Sequence, residues 1–224
     1  HLLRYILGDD TFFRTLSTFL HQNAFKPVDT HDFMKTIKEV SGKNMDWFFE
    51  QYIFNPGHPI FEVSKSWDAA KKTLKVTILQ KQDSVPGIPI YTIPVNFGFV
   101  FKDNKIVKEV WLKNKLETFE YEFSTEPLLV RFDEGNWLLK EVTFKKSLQE
   151  LIYQAEHDDM IGRLTAINEL RSYSIDESAL KIWTKVATQD TFWAVRQAAL
   201  ENIGKYPGEK AIDLFKSCLS DKNP

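Results

Sequence analysis

The sequence holds a single cysteine, Cys218, in 224 residues. One thiol forms no internal disulfide and completes no metal site alone, which excludes a disulfide framework and a cysteine-based zinc site. Leu214, Phe215 and Leu219 surround it at helical spacing, so packing is its expected role. Long apolar runs are also missing. None approaches the ~20 residues that cross a bilayer, and no membrane segment is expected in this stretch. An excess of one charge is absent too. Lys and Arg number 29 against 31 Asp and Glu, without a basic block, which gives no general attraction for nucleic acid or an anionic membrane. Lys71, Lys72 and Lys75 are better placed on the solvated side of a strand. The opening His1-Leu2-Leu3-Arg4 has neither Met nor a basic leader and reads as the middle of a helix.

The usual catalytic patterns are equally scarce. A catalytic metal needs convergent His and carboxylate ligands with one open position. The five histidines are His1, His21, His31, His58 and His157; no two are four apart, and there is no His-Glu-x-x-His. Glu156-His157-Asp158-Asp159 packs donors together, but consecutive helical residues do not converge. It reads as a junction in which Asp158 or Asp159 caps the next helix. His58, between Pro56-Gly57 and Pro59, is expected in an exposed turn. His21 and His31 fall near helix ends, with solvated or capping roles. No Gly-x-Ser-x-Gly occurs, and Ser41-Gly42-Lys43 lacks the glycine and strand of a phosphate loop. No catalytic, cofactor-binding or metal-binding residue is assigned to the chain.

What the sequence does have is pattern. Leu2, Leu3, Ile6 and Leu7 share a helical face, which Gly8 can end; Asp9 or Asp10 can cap the next helix. Phe12, Phe13, Leu16, Phe19 and Leu20 then form one stripe. Thr30 is a candidate cap for a helix carrying Phe33, Met34, Ile37 and Val40, stopped by Gly42. A third helix is expected from about Asp46 to Ile53. Its Trp47-Phe48-Phe49-Glu50-Gln51-Tyr52 is rich enough to contact another domain as well as its own. Asn55-Pro56-Gly57-His58-Pro59 breaks the pattern.

From residue 60 the period becomes two. Phe61 and Val63, then Leu74, Val76 and Ile78, then Tyr91 through Phe101, then Phe119, Tyr121 and Phe123, and finally Leu128, Val130 and Phe132 alternate. Short connections without helical stretches predict an antiparallel β-sandwich. Phe97, Phe99 and Phe101 could also suggest a stacking platform for single-stranded nucleic acid, but Asn96, Gly98 and Val100 bring no positive charge, so they are assigned to the core. Pro86-Gly87 and Pro89 suggest an irregular connection, and Pro94 an edge or a bulge.

From about Ser147 the helical period returns. Ser174 is a candidate cap for a helix with Leu180, Ile182, Trp183 and Val186; Gly204 stops the following one, and a last helix holds Ala211, Leu214, Phe215 and Leu219. Arg163, Ala166 and Leu170 match Arg196, Ala199 and Ile203 at an offset of 33 residues. That offset suits a HEAT-like solenoid, the alternative being three to five antiparallel helices without repeat symmetry.

The first 60 residues resemble the zinc aminopeptidases of the aminopeptidase N family. His1-Leu2-Leu3-Arg4-Tyr5-Ile6-Leu7-Gly8 is similar to the helix after that family's catalytic tyrosine. Thr30-His31-Asp32-Phe33 resembles its Thr-x-Asp-Phe helix start. Asp46-Trp47-Phe48-Phe49-Glu50-Gln51-Tyr52 with Pro56-Gly57-His58-Pro59 resembles its Trp-rich ending, Tyr52 standing near where a second Trp would fall. Phe132-Asp133-Glu134-Gly135-Asn136-Trp137-Leu138-Leu139 resembles its exit from the sandwich.

The resemblance implies a multidomain α+β chain. Residues 1–58 would be the helical end of a thermolysin-like catalytic domain, 59–144 an antiparallel β-sandwich, and 145–224 a HEAT-like helical domain. It also implies a parent that hydrolyses peptides with zinc. The His-Glu-x-x-His, the further Glu, the Gly-x-Met-x-Asn motif and the catalytic tyrosine would all lie upstream of His1. Tyr5 does not take the tyrosine's role, since no Tyr-x-x-Gly segment follows it. The chain alone is then expected to be an inactive scaffold with surfaces that limit pocket access. Its expected partner is the upstream catalytic domain, with peptide substrates bound only by the intact protein and self-association of the separated piece. A catalytically inactive family member and an unrelated protein-binding scaffold are the alternatives.

Overall fold

A computed structural model describes residues 1–82, 88–174 and 176–205, together with 212, 215, 216 and 218. It consists of two compact units, His1–Lys145 and Lys146–Pro224.

The first unit opens with helices α1 (Leu2–Leu7), α2 (Asp9–Gln22), α3 (Thr30–Ser41) and α4 (Asp46–Phe49). Gly8 separates α1 from α2, and Asp9 and Asp10 lie in the first turn of α2 rather than capping it. For α3 the cap is Asp29, not Thr30. Asp29 accepts from the N–H groups of His31 (2.8 Å) and Asp32 (3.2 Å), while Asp32 accepts from the N–H of Asp29 (3.0 Å). This reciprocal box satisfies donors that Thr30, one step inside the helix, does not reach. At the other end Gly42 takes the left-handed conformation (φ 70°) that a side chain would disfavour. The third helix of the sequence changes character midway: α4 widens into a π-helical turn over Glu50–Phe54. The wider turn carries Gln51 inward, where its amide accepts from the Thr92 N–H and donates to the Thr92 carbonyl.

Among the described residues seven strands follow: β1 (Ile60–Asp68), β2 (Thr73–Gln80), β3 (Ile93–Val100), β4 (Lys105–Leu112), β5 (Leu116–Glu122), β6 (Leu129–Phe132) and β7 (Glu141–Phe144). They make two sheets, ordered β5-β2-β1-β7 and β4-β3-β6. The sandwich expected from the period of two is therefore present, with one departure from antiparallel pairing. β7 runs parallel to β1, Ile60 opposite Glu141 through Val63 opposite Phe144. Four residues with one buried side chain carry too little alternation to announce a strand. Pro94 lies in the half of β3 that pairs with β4 alone, β6 joining only at Phe97–Val100. A residue without an N–H is tolerated where one neighbour is missing. Pro86 and Gly87 lie outside the described residues.

Between the sheets Phe61, Phe97, Phe99, Leu74, Val76 and Ile78 are essentially inaccessible to water. Each such side chain contributes about 1.5–3 kcal/mol of burial. Phe97 and Phe99 thus belong to the core, as their alternation requires, and Phe101 packs at its margin. A Cβ at Gly98 would stand 2.5 Å from Glu134 Oε2, so the end of the Glu134 side chain would have to move to admit one. The helices join the same core through Leu3, Ile37, Phe48 and Phe49.

The second unit pairs α5 (Leu148–His157) with α6 (Met160–Glu169), and α7 (Glu177–Gln189) with α8 (Trp193–Ile203); a 3-10 turn, Leu170–Tyr173, follows α6. Ser147 caps α5, Asp159 caps α6, and Asp176 rather than Ser174 caps α7. α5 packs on α7 and α6 on α8, so the two hairpins stack as repeats. The 33-residue offset is thereby structural. Arg163 and Arg196 each donate through Nη1 at 3.0 Å to the carbonyl of a preceding aspartate, Asp158 and Asp190 respectively. Trp183 fills the centre and donates to the Ile167 carbonyl (3.0 Å). Of the proposed last helix, Phe215 is helical, while Ala211, Leu214 and Leu219 lie outside the described residues.

Two outcomes follow from this packing. Burial pushes the Tyr121 hydroxyl from its ordinary 10.0 up to about 12. Above pH 10 the unfolded chain sheds that proton while the folded unit keeps it. Stability from this group is therefore complete below pH 10 and is lost as pH rises toward about 12. Denaturant midpoints across that window should fall, and less steeply in Tyr121→Phe. In the second unit, Arg163 holds the nearly buried Asp190 through two bonds, 2.7 and 3.0 Å. Arg163→Ala should cost about 3 kcal/mol by stranding that carboxylate. Adding Asp190→Ala should cost less than the two single losses together, in a double-mutant cycle by chemical denaturation.

Candidate functional site

A groove of about 1040 Å³ opens in the first unit. Its walls are built from helix faces that the sequence marks as apolar. α1 supplies Leu2 and Leu3, α2 supplies Phe12, Leu16 and Phe19, and α3 supplies Phe33. Phe48, Phe49, Tyr52 and Ile53 come from α4 and its π-helical continuation, and Trp137, Leu138 and Leu139 close the far side. The stripe of α2 is poorly covered for one so apolar. Thr15 is the helix's sole buried residue, while Phe13 is 51% and Leu20 66% exposed. A helix normally buries such a stripe against its own domain.

The groove offers little chemistry. Its titratable lining consists of His1, Asp29 and Tyr52. The His1 ring stacks on Trp137 at 4.5 Å, and the Asp29 carboxylate is committed to the α3 cap, whose N–H groups hold it below its ordinary value. Tyr52 packs on Tyr91 with ring centres 5.2 Å apart; burial raises both hydroxyls, and neither has a hydrogen-bond partner. A phenol pushed upward by burial is no base at neutral pH.

The wall at Trp137–Leu139 is positioned by Asp133. That residue turns with positive φ (61°), is 1% exposed on its side chain, and accepts from the N–H groups of Trp137 and Leu138, each at 3.0 Å. Lys140 Nζ completes the shell at 2.5 Å. The adjacent Glu134 pairs with Lys105. A buried carboxylate needs such donors, since each missing one leaves charge in a poorly polarisable medium.

The residues weighed from sequence are scattered. His21 Nδ1 contacts its own helix at the Ser17 carbonyl (2.7 Å), and His31 stacks on Phe54. His58 is ordered rather than free: its Nε2 stands 2.8 Å from Glu141 Oε1, tying the loop before β1 to β7. His157 lies against Tyr153, and Glu156 pairs with Lys185. Cys218 is partly buried and is not in a disulfide. Tyr5 donates to Glu109 Oε2 at 2.9 Å and stacks on Trp137; burial, then the bond and charge of Glu109, raise its hydroxyl well above 10. Among the described residues, no group of three or more His, Cys, Asp or Glu side chains could hold a metal ion. A smaller polar pocket between α5, α6 and α7 is lined by Glu156, Arg163, Lys185 and Asp190, whose charges are spent on one another. Sequence reasoning found the α2 stripe and the Trp47–Tyr52 cluster but not Leu138 and Leu139 as lining; three consecutive apolar residues after the Asn136 turn were the available signal.

The HEAT repeats family matches residues 145–224. The transcription initiation factor TFIID subunit 2 of Drosophila melanogaster is 22% identical over 207 residues, covering 80% of this chain and 17% of that protein. The crystal structure of Legionella pneumophila aminopeptidase A in complex with aspartic acid superposes with a TM-score of 0.71 at 17% identity, covering 97% of this chain and 28% of that one. The chain therefore spans well under a third of the length of either, and its architecture is one found within an aminopeptidase.

Asp133→Ala removes the acceptor of three bonds and leaves Lys140 without its carboxylate. We expect a loss of about 3 kcal/mol, of the size seen when a buried pair is broken. The Trp137 contribution to emission, taken as the difference from a Trp137→Phe partner because the chain has six tryptophans, should shift to a more exposed wavelength before global unfolding.

Proposed function

We propose that these 224 residues are a non-catalytic portion of a longer zinc-dependent aminopeptidase, supplying scaffold and pocket-access surfaces. The observation that carries this reading is the pairing of two facts. Nearly the whole chain follows the backbone of an aminopeptidase, yet its described residues hold no metal-binding group. Peptide hydrolysis by this route requires zinc to polarise the carbonyl and activate water, a carboxylate to take the proton, and a group to meet the oxyanion. Among the described residues no group of three or more His, Cys, Asp or Glu could hold the zinc, Tyr5 is bonded to Glu109, and Tyr52 and Tyr91 are buried. Zinc, its ligands and the peptide would then belong to polypeptide outside these residues. The sandwich and the helical repeats would act on specificity by limiting which peptides reach the site.

A second reading has its own support. The curated relative bears the name of a transcription initiation factor subunit and aligns over most of this chain. A parent that keeps the architecture for assembly, without zinc chemistry, would fit that likeness.

One comparison separates the readings. Tag-free protein is dialysed, analysed for zinc, and assayed with added zinc on a panel of aminoacyl reporter substrates, for both the 224-residue chain and the longer protein. The chain alone should retain no stoichiometric zinc and show no turnover above blank. The longer protein should hold zinc and turn over in the typical enzymatic range of roughly 1–10³ s⁻¹, with loss on chelation. Chelator-sensitive turnover by the chain alone would overturn the proposal, and a zinc-free, inactive parent would establish the assembly reading instead.

A further inference from the structure

Among the described residues each sheet of the sandwich ends in two edge strands, and three of these edges are guarded. β6 and β7 are four residues long, and β4 turns Lys108 to the core side, opposite Phe97 of β3. Short strands and inward charges are common means of keeping an edge from pairing. β5 is differently made. It is seven residues long, pairs with β2 from Leu116 to Glu122 and holds no proline. Its core-side Glu117 is folded back onto the Lys113 N–H at 2.8 Å, and the next core-side residues are the half-buried Phe119 and Tyr121. The register decides where its backbone points. The Gln80 N–H donates to the Lys115 carbonyl and the Phe123 N–H to that of Lys72, so the odd-numbered residues of β5 exchange bonds with β2. The N–H and C=O groups of Leu116, Thr118, Glu120 and Glu122 therefore face away from the sheet.

The other sheet overhangs this edge. Phe97 and Phe99 of β3 lie against Phe119 and Tyr121 of β5, and Phe132 of β6 lies against Phe61 of β1. β4, one strand further out than β3, thus extends past β5, and among the described residues no strand lies beneath it. Its core-side Ile106 and Val110 are only half-buried, and Lys108 is exposed. We infer that the β5 edge receives an extended segment of a partner polypeptide as a fifth, antiparallel strand. Charge selects the segment. Among the described residues Glu120 and Glu122 on the outer face and Lys108 under the overhang make no ion pair, although Lys75 stands across the ladder from Glu120. The incoming strand meets the two carboxylates with Lys or Arg at alternate positions. Its other side meets Ile106 and Val110 with Val, Ile or Leu, and Lys108 with Asp or Glu. A helix brings no free backbone groups to such an edge. A second β5 would bring Glu120 and Glu122 of both copies onto one face, where like charges on neighbouring strands are unfavourable.

The probe is a capped peptide as long as β5, Lys-Ile-Arg-Glu-Thr-Val-Leu, added to the 224-residue chain. Laid antiparallel, its Lys and Arg face Glu122 and Glu120, and its Glu turns toward Lys108. Amide exchange followed by NMR is the readout. The Thr118 and Glu120 amides should exchange at least ~10-fold more slowly with peptide present, while those of Glu117 and Phe119, already bonded to β2, should not change. N-methylation of the peptide's Arg and Thr removes donors aimed at β5 and keeps the charge; it should abolish the protection. Glu120→Lys together with Glu122→Lys should weaken binding about 10-fold in a titration. A peptide with Glu in place of its Lys and Arg should restore binding to that variant. No protection at millimolar peptide would overturn the inference. Equal protection by the N-methylated peptide would too, because the contact would then be one of charge alone. So would protection without peptide that grows with protein concentration, because the occupant would then be a second copy.

Discussion

A single desolvated carboxylate organises much of the first unit. Asp133 is almost wholly removed from water, and an uncompensated charge in that position would cost several kcal/mol. Two backbone N–H groups and the Lys140 ammonium meet it, and meeting them dictates the path of residues 133–140. The positive φ at Asp133 turns the chain out of β6, Trp137 is placed over α1 between His1 and Tyr5, and Leu138 enters the core. The chain then emerges beside Pro59, so that β7 falls alongside β1 in parallel, with Glu141 close enough to bond His58. The groove wall, the one parallel pair and the histidine contact are thus consequences of one electrostatic requirement.

That dependence explains what could be read from sequence and what could not. Periodicity is a local property. The sandwich announced itself through Phe61, Val63, Leu74, Val76, Ile78 and the Phe97–Phe99 pair because each alternation is written within a few residues. The stacked hairpins announced themselves in the same way, through Arg163 and Arg196 at a fixed offset. Capping was less legible. Thr30 and Ser174 are the right residue types, but Asp29 and Asp176 sit where their carboxylates reach the free N–H groups, and a one- or two-residue difference decides that. β7 was illegible because parallel pairing joins residues some 80 positions apart through backbone bonds that leave no mark on side-chain pattern.

The candidate site follows the same division. The α2 stripe and the aromatic cluster of α4 were visible as apolar surfaces, while their failure to be covered was not. Covering is a property of the folded unit: α2 packs on α1 and α3, yet Phe13 and Leu20 stay exposed. Leu138 and Leu139 entered the site through the Asp133 turn: their apolar character was visible in the sequence, the direction in which the turn sends them was not.

The two units differ in how completely they close on themselves, and that difference bears on function. In the second unit the helices bury Trp183, Ile167 and Leu170 and spend the Arg163 and Asp190 charges on each other, beside a polar pocket that His157 and Gln189 also line. In the first unit the interior of the sandwich is equally dry, filled with aromatic and branched side chains. The less covered part is the layer formed by α1 to α4, where apolar faces remain open although every helix is well formed and well capped at α3. Local order without burial is costly to maintain, because most helical stability in a protein comes from packing an apolar face rather than from intrinsic propensity. The groove these helices leave has His1, Asp29 and Tyr52 as its titratable lining, so apolar contact is what its surface offers in quantity.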